Sequence, residues 1–255
     1  VSALADSLLL ELPAGRAEPV AEHLARYIVA DRVELGSRPE LRALSLVGPD
    51  SWAVAARLAA GAGRPDDRWS LRQVEWDGAE LVLAREERLG APAVTVRVAA
   101  EAAPSVAAEL LRPADDVAAA PVGFAAAEAI RVEAGCARFG PDFGSERFPQ
   151  EVGETDALDF EKGCYLGQEV VARIHYRGKV NHRLCGLRLR GELPPTGSAI
   201  ELDGDEVGRS GSVAHSPRLE QSIALAVIHR RAERGAVVTV GGATAEIVDL
   251  PFTTD

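Results

Sequence analysis

The fold is decided by the short apolar segments of the C-terminal third: CGLRLRG at 185–191, AIELDG at 199–204, EVGRSGSVA at 206–214, SIALAVI at 222–228, AVVTVG at 236–241 and ATAEIVDLPF at 243–252. Glycine-containing turns separate these segments. Short strands broken by turns at such frequent intervals are typical of a small β-barrel or sandwich. We therefore predict a small C-terminal β-barrel domain at residues 183–255.

The region before this barrel, residues 1–182, alternates strand and helix patterns. The segment SLLLEL at 7–12 predicts a strand, and the spacing of the apolar residues at 16–30 predicts an amphipathic helix. Asp77-Gly78 between two apolar segments is a strong hairpin signal. The resulting order β-α-β-α-β-β-β-α predicts an α+β fold with a layered mixed sheet and helices on one side.

Composition restricts the classes of partner. The chain of 255 residues is 47% hydrophobic and carries a net charge of −11, which disfavours non-specific binding to nucleic acid or anionic membranes. No apolar run approaches the ~20 residues of a membrane helix, so we expect no membrane partner. The cysteines at 136, 164 and 185 are odd in number and widely spaced, which argues against a disulfide framework and a structural zinc site. We predict a cytoplasmic protein without a bound metal.

The sequence contains no methionine, so Val1 is not an initiating residue. An apolar strand pattern follows within a few residues. We therefore expect that an N-terminal part of the first domain is missing.

The candidate reactive and charged residues are most concentrated at 162–183, KGCYLGQEVVARIHYRGKVNHR. Five basic residues stand there against one acid: Lys162, Arg173, Arg177, Lys179 and Arg183 against Glu169. A solvated basic helix and loop is the simplest interpretation. However, Cys164 lies beside Lys162 and just before a predicted helix, and both features favour a thiolate. Cys164 is therefore the candidate reactive residue and Lys162 its candidate activator, whereas Cys136 and Cys185 are expected to be packed.

The residues around this cysteine have structural alternatives. Gln168 and Glu169 fall in the first helical turn, and Glu169 can form an i,i+4 ion pair with Arg173 worth only ~0.3–0.5 kcal/mol. Tyr165 can stack on a heterocycle or fill the core. Glu133, which ends the helix in AIRVEAG, can pair with Arg131 or Arg138, or accept N–H groups from a pterin ring. These alternatives stay open at this point.

The eight residues KGCYLGQE at 162–169 match the K-G-C-Y-x-G-Q-E signature of the YgfZ family. The stretch RVEAGCARFGPD at 131–142 also resembles a stretch that this family shares loosely with the glycine-cleavage aminomethyltransferase. The C-terminal segments resemble the barrel of that superfamily.

The resemblance implies folate-binding layers followed by a barrel, with tetrahydrofolate or a derivative as ligand. It further implies an accessory role in assembling or repairing iron–sulfur clusters, including those of tRNA-modifying enzymes, with activity that depends on Cys164. In that interpretation the residues supporting Cys164 are Gly163, Tyr165, Gly167, Gln168, Glu169 and Arg173. The candidate folate ligands are Glu133, Arg131 and Tyr165. The sequence lacks the family's N-terminal G-x-D-x-x-x-F-L-like and Asn-Asp-Val-like stretches, and it lacks a G-Y-T-G-E segment.

Two other functions remain alternatives. A tetrahydrofolate-dependent aminomethyltransferase would need an acid/base carboxylate near the pterin rather than a cysteine. A non-catalytic adaptor would use residues 162–183 to bind tRNA weakly or an acidic protein, and the tRNA contact would weaken steeply with salt. The expected partners are thus folate and iron–sulfur enzymes or assembly proteins, and whether a reaction is catalysed is left open.

Overall fold

The computed structural model of this chain describes residues 1–30, 32–59, 61–65, 67–113, 117–178 and 180–252, with every side chain except that of Arg177. Two compact units make up the chain, Val1–Pro121 and Val122–Asp255. The helix at Phe124–Glu133, α4, and the segment that follows it therefore share a unit with the C-terminal strands. We predict a domain boundary between residues 182 and 183, where the barrel begins, and this boundary stays a prediction.

The first unit contains a four-stranded sheet, a two-stranded ribbon and three α-helices in its described part. Its elements are β1 (Ser2–Ala3), β2 (Leu8–Leu9), α1 (Ala17–Ala25), β3 (Leu41–Val47), α2 (Ser51–Ala55), a 3₁₀ turn (Ala56–Leu58), β4 (Leu71–Trp76), β5 (Ala79–Arg88), β6 (Ala91–Ala99) and α3 (Ala103–Leu111).

The order of the large sheet is β3-β6-β5-β4, and every pairing in it is antiparallel. The prediction that this sheet is mixed is therefore wrong. The reason lies in the connections: two-residue turns join β4 to β5 and β5 to β6, and such turns can only connect antiparallel neighbours. The first of these turns is the predicted hairpin, in which Asp77 and Gly78 both have positive φ, at 49° and 74°.

Period-two alternation gives this sheet one apolar face. Val94, Val96 and Val98 of β6 join Leu81 and Leu83 of β5 in a buried cluster. Apolar residues of α2, the 3₁₀ turn and α3 complete the cluster, so the helices cover this face.

The residues between these valines lie on the opposite face and are polar. The guanidinium of Arg97 donates to Glu86 at 2.6 Å and to Glu11 at 2.8 Å. Burial alone would raise the pKa of Glu86, but hydrogen bonds from Arg97, Arg88 and Thr95 outweigh it and hold that pKa below the ordinary glutamate value. The first unit thus contains a buried ionic network.

The second unit begins with two helices and ends in a six-stranded closed barrel, ordered β10-β7-β12-β11-β8-β9. Its elements are α4 (Phe124–Glu133), two 3₁₀ turns (Pro149–Glu151 and Thr155–Ala157), α5 (Gln168–Arg177), β7 (His182–Arg190), β8 (Ala199–Leu202), β9 (Asp205–Ser216), β10 (Gln221–His229), β11 (Val237–Val240) and β12 (Ala243–Val248). The prediction of an α+β region followed by a small C-terminal barrel is confirmed.

Two apolar clusters hold this unit together. One joins residues of the barrel strands, including Leu187, Ile200 and Ile247. The other joins Val132 of α4 to β10 and to Phe252 near the chain end. Helix α4 is therefore anchored to the barrel through its own buried face.

Two local expectations were imprecise. The predicted N-terminal helix is shorter than expected, Ala17–Ala25, and none of its residues is buried. The apolar pattern at 33–35 also predicts a strand, but these residues have no regular structure. In the part of the chain that the structure describes, none of the helices has the length and apolar character needed to cross a membrane.

Candidate functional site

The KGCYLGQE segment forms a loop that leads into α5. Upstream, the Asp159 carboxylate accepts hydrogen bonds from the backbone N–H groups of Glu161, at 2.8 Å, and Lys162, at 3.1 Å. Downstream, the side-chain oxygen of Gln168 accepts from the backbone N–H of Tyr165 at 2.9 Å. Gly167 has a φ of 87°, a left-handed conformation in which a side chain would be strained. Local hydrogen bonds therefore define the loop on both sides of Cys164.

Cys164 itself is exposed. The Lys162 ammonium lies 4.7 Å from the centroid of the Tyr165 ring, which is cation–π geometry. Both Lys162 and Cys164 lie in the described part of the chain, and no hydrogen bond or ion pair joins them there. The structure thus places the Lys162 ammonium over the Tyr165 ring. The role of Lys162 as activator of the Cys164 thiol stays a prediction.

The other cysteines differ from Cys164. Cys136 is half-buried, and Cys185, in β7, is 1% exposed. Burial raises the pKa of the Cys185 thiol to about 12. All three cysteines fall within the described ranges, and Cys164 is the only exposed one.

Helix α5 presents polar side chains after this loop. Glu169 and Arg173 are exposed, and the structure shows no ion pair between them, so the i,i+4 pair does not explain their presence. The His175 ring stacks on Phe160, with centroids 3.8 Å apart and an interplanar angle of 21°, which joins the helix to the segment before the loop. Of the basic residues predicted here, Lys179 and the side chain of Arg177 lie outside the described part.

Arg131 forms the centre of a buried network on α4. Its side chain is 7% exposed, and its guanidinium donates to Asp142 at 2.9 Å and to both oxygens of Glu128, at 2.9 and 3.1 Å. Further donors reach the hydroxyl of Ser212 and the carbonyl oxygen of Cys136. These contacts engage all five N–H donors of the guanidinium.

Asp142 completes this network from the loop after α4. Its side chain is 1% exposed and accepts from the backbone N–H of Ser212 at 2.6 Å and of Arg138 at 2.8 Å. Sequence reasoning did not select Asp142 or Glu128, although Asp142 is the last residue of the stretch at 131–142. Together with Arg131 they join α4, this loop and β9.

Glu133 pairs with neither Arg131 nor Arg138, which corrects that expectation. One carboxylate oxygen accepts from the Ser216 hydroxyl, and the other accepts from the Nε–H of Arg218 at 2.9 Å. Arg218 also donates to the carbonyl of Phe252 at 2.9 Å. Glu133 thus fastens the end of α4 to β9 and to the last described residues of the chain.

The predicted site residues fall into two groups. Within the described ranges, no hydrogen bond, ion pair or ring contact connects residues 162–169 with Arg131 or Glu133. The same residues contain no cluster of three or more His, Cys, Asp or Glu side chains placed to hold a metal ion. A shared folate site for Tyr165, Glu133 and Arg131 stays a prediction.

Comparisons with known proteins bear on the whole chain. Residues 182–253 match the family of the glycine cleavage T-protein C-terminal barrel domain. A chloroplastic candidate transferase of Arabidopsis thaliana is 29% identical over 97% of this chain and 57% of its own length. The aminomethyltransferase of Rubrobacter xylanophilus is 28% identical over 97% of this chain and 66% of its own length. The chain therefore spans less than two thirds of the length of either relative.

A solved structure shows the same fold. The glycine cleavage system aminomethyltransferase T from Bartonella henselae superposes with a TM-score of 0.76 over 94% of this chain and 67% of its own, at 22% identity. The fold, the barrel match and the sequence relatives agree with one another. The chain is thus similar over most of its length to aminomethyltransferases, and residues 182–253 match the C-terminal barrel domain of the glycine cleavage T-protein.

Proposed function

We propose that this protein is a folate-binding accessory factor that supports the assembly or repair of iron–sulfur clusters through the thiol of Cys164. The observation that carries the proposal is the exposure of Cys164 in a loop whose conformation is set by Asp159 and Gln168. An exposed thiol can react with a partner protein or coordinate its iron, whereas a buried one cannot.

The folate part of the proposal rests on the similarity of the chain to aminomethyltransferases and on the position of Glu133. Arg131 has every donor engaged in the network around Asp142, so it fits a ligand-binding role poorly. Glu133 accepts one hydrogen bond on each oxygen, and a carboxylate offers about four lone-pair sites, so it can still accept N–H groups of a pterin. Tyr165 is half-buried, with Lys162 over one face of its ring. Bound tetrahydrofolate would supply one-carbon chemistry, which these residues would only position.

The cysteine part of the proposal rests on what one thiolate can do. A stable cluster needs several ligands, and the described residues offer no group of three. A single thiolate can instead coordinate iron transiently while a client protein supplies the remaining ligands. This chemistry suits a factor that acts on the clusters of other proteins, including tRNA-modifying enzymes.

The second candidate function is tetrahydrofolate-dependent aminomethyl transfer. It is favoured by the similarity to sequence relatives such as the aminomethyltransferase of Rubrobacter xylanophilus. Glu133 would then be the carboxylate next to the pterin. The exposed Cys164 would have no part in that reaction.

The test uses cells that lack their own protein of this kind. The wild type, Cys164→Ala and the control Cys136→Ala are expressed at equal levels, and the activity of an iron–sulfur tRNA-thiolating enzyme is measured under oxidative stress. We expect rescue by the wild type and Cys136→Ala and at least a tenfold lower activity with Cys164→Ala. Equal rescue by all three would remove the thiol from the proposal.

Folate binding is tested separately by calorimetry with tetrahydrofolate. Saturable binding that Glu133→Gln weakens is expected. A protein that neither binds folate nor rescues the iron–sulfur enzyme would contradict the proposal. Glycine-dependent formation of methylenetetrahydrofolate together with the other glycine-cleavage components would establish the second candidate function instead.

A further inference from the structure

A cleft of about 710 Å³ opens in the second unit between the loop at 140–147 and strands β9 and β10. Its wall contains backbone of four glycines and five side chains with N–H donors. These side chains are Arg147, Arg209, Arg231, His182 and His229. None of the residues in the proposed cysteine or folate sites lines this cleft.

Arg147 has the most available donors in the wall. Its side chain is 25% exposed, and the nearest carboxylate oxygens, of Glu146 and Glu151, lie 3.7 and 4.0 Å from its nitrogens. These distances exceed a hydrogen bond, and the guanidinium makes none in the described part of the chain. The Arg147 guanidinium is half-buried and its N–H groups make no hydrogen bond to the described residues, so they can donate to a ligand oxygen.

The two histidines lie opposite each other on β7 and β10, with ring centroids 5.6 Å apart. The Nδ1 of His182 lies 3.3 Å from a carboxylate oxygen of Glu151, so we assign its proton to Nδ1. The Nδ1 of His229 accepts from the backbone N–H of Arg231 at 3.2 Å, so the neutral ring carries its proton on Nε2. His229 therefore has an N–H donor that is not engaged with the backbone.

Arg209 and Arg231 contribute further donors. Arg209 donates to Glu206 and to the carbonyl of Gly197, and Arg231 donates to Asp205 and to the carbonyl of Glu206. Each guanidinium keeps three of its five N–H groups for another acceptor.

The wall of the cleft also contains carboxylates. Its carboxylates are Asp142, Glu146 and Glu206, and Asp142 is already neutralised by Arg131. Arg147 lies 3.7 Å from Glu146, Arg209 pairs with Glu206 at 3.1 Å, and Arg231 pairs with Asp205 at 3.0 Å. The case for an anionic ligand therefore rests on the N–H donors that stay available and not on the net charge of the wall. The volume is in the usual range for small-molecule sites.

We propose that this cleft binds a small molecule through a carboxylate or phosphate group, with Arg147 as the main contact and Arg209, Arg231 and His229 as additional donors. Arginine suits both groups because its planar fork can donate two parallel hydrogen bonds to either. The proposal does not depend on folate binding or on Cys164.

The test titrates the protein with inorganic phosphate and with glutarate by calorimetry, and compares the wild type with Arg147→Gln. The matched control is Arg234→Gln, because Arg234 is 74% exposed, pairs with Asp249 and lies outside the cleft. We expect saturable binding of at least one probe, weakened at least tenfold by Arg147→Gln and unchanged by Arg234→Gln. Binding of phosphate alone would assign a phosphorylated ligand, and binding of glutarate alone a carboxylate.

The histidines provide a second measurement that needs no substitution. In the wild type, the ring resonances of His182 and His229 should shift with the bound probe, while those of His23 on α1 and His175 on α5 should stay in place. This result decides the question if Arg147→Gln does not fold. Absence of saturable binding by both probes, equal binding by Arg147→Gln, or shifts at His23 and His175 instead would overturn the proposal.

Discussion

Two segments of the second unit have opposite physical characters: the network segment at 128–142 and the cysteine loop at 162–169. The stretch at 131–142 within the first segment and the whole of the second resemble family motifs. In the network segment, Arg131 and Asp142 are buried and hydrogen-bonded to α4, the following loop and β9. In the cysteine loop, Cys164 is exposed, and the hydrogen bonds on either side of it come from the nearby Asp159 and Gln168. Similarity to a family motif therefore does not separate residues that hold a fold from residues that react.

The difference predicts where substitutions will act. Removing one partner of a buried ion pair leaves an unpaired charge in a poorly solvated place, so the network segment should control stability. Removing an exposed thiol loses almost no packing, so the cysteine loop should control activity with little effect on unfolding.

The largest effect is expected at Arg131. Arg131→Met leaves Asp142 and Glu128 without their main partner and should lower the free energy of unfolding by about 3–5 kcal/mol. Urea denaturation measures this loss. The control Arg234→Met breaks an exposed ion pair with Asp249 and should cost about 0–1 kcal/mol. Equal losses for both variants would mean that the network segment is not the stabilising region.

The next effect is in the chemistry of the thiols. At pH 8 the Cys185 thiol, with its pKa raised to about 12, is ionised in only about one molecule in ten thousand. Because the thiolate is the nucleophile and Cys185 is also buried, iodoacetamide should modify Cys164 at least about 100-fold faster. Mass spectrometry of digested samples taken over time gives both rates. Similar rates would show that the cysteine loop is not the reactive region of the folded protein.

A smaller effect is expected at Glu133, which is hydrogen-bonded within the fold and is also a candidate folate contact. Glu133→Gln keeps the size of the side chain but weakens charge-assisted hydrogen bonds from Arg218 and Ser216, which should cost about 1–3 kcal/mol. If Glu133 also binds the pterin, folate affinity should fall at a temperature where the variant is fully folded. A loss of stability with unchanged folate affinity would assign Glu133 to the scaffold alone.

The sequence predicted best what local signals specify. The barrel follows from short strands between glycine turns, and the hairpin at Asp77-Gly78 follows from a turn whose residues must have positive φ. The exposure of Cys164 agrees with its place in a glycine-containing loop before a helix. Each of these features depends on residues only a few positions apart.

The sequence could not specify pairings between distant residues. The partner of Glu133 is Arg218, 85 positions away, and Arg131 contacts Ser212, 81 positions away. The cleft gathers Arg147, Arg209 and Arg231 from three separate segments. No local spacing indicates which of several arginines a carboxylate will meet, so the nearest ones, Arg131 and Arg138, were the natural but incorrect choice for Glu133.

The smallest effect sharpens the comparison within the cysteine loop itself. Gln168→Ala removes the acceptor of the Tyr165 N–H at 2.9 Å and should destabilise the start of α5 by about 0.5–1 kcal/mol, as loss of a helix cap does. Global unfolding should barely change because the contact is local. Hydrogen exchange should instead show a two- to fivefold faster exchange of the Tyr165 amide.

Gln168→Glu keeps an acceptor oxygen and should preserve the protection. If Gln168→Ala left this amide as protected as in the wild type, the loop would owe its conformation to Asp159 and Gly167, and Gln168 would have to be explained by contact with a ligand or partner.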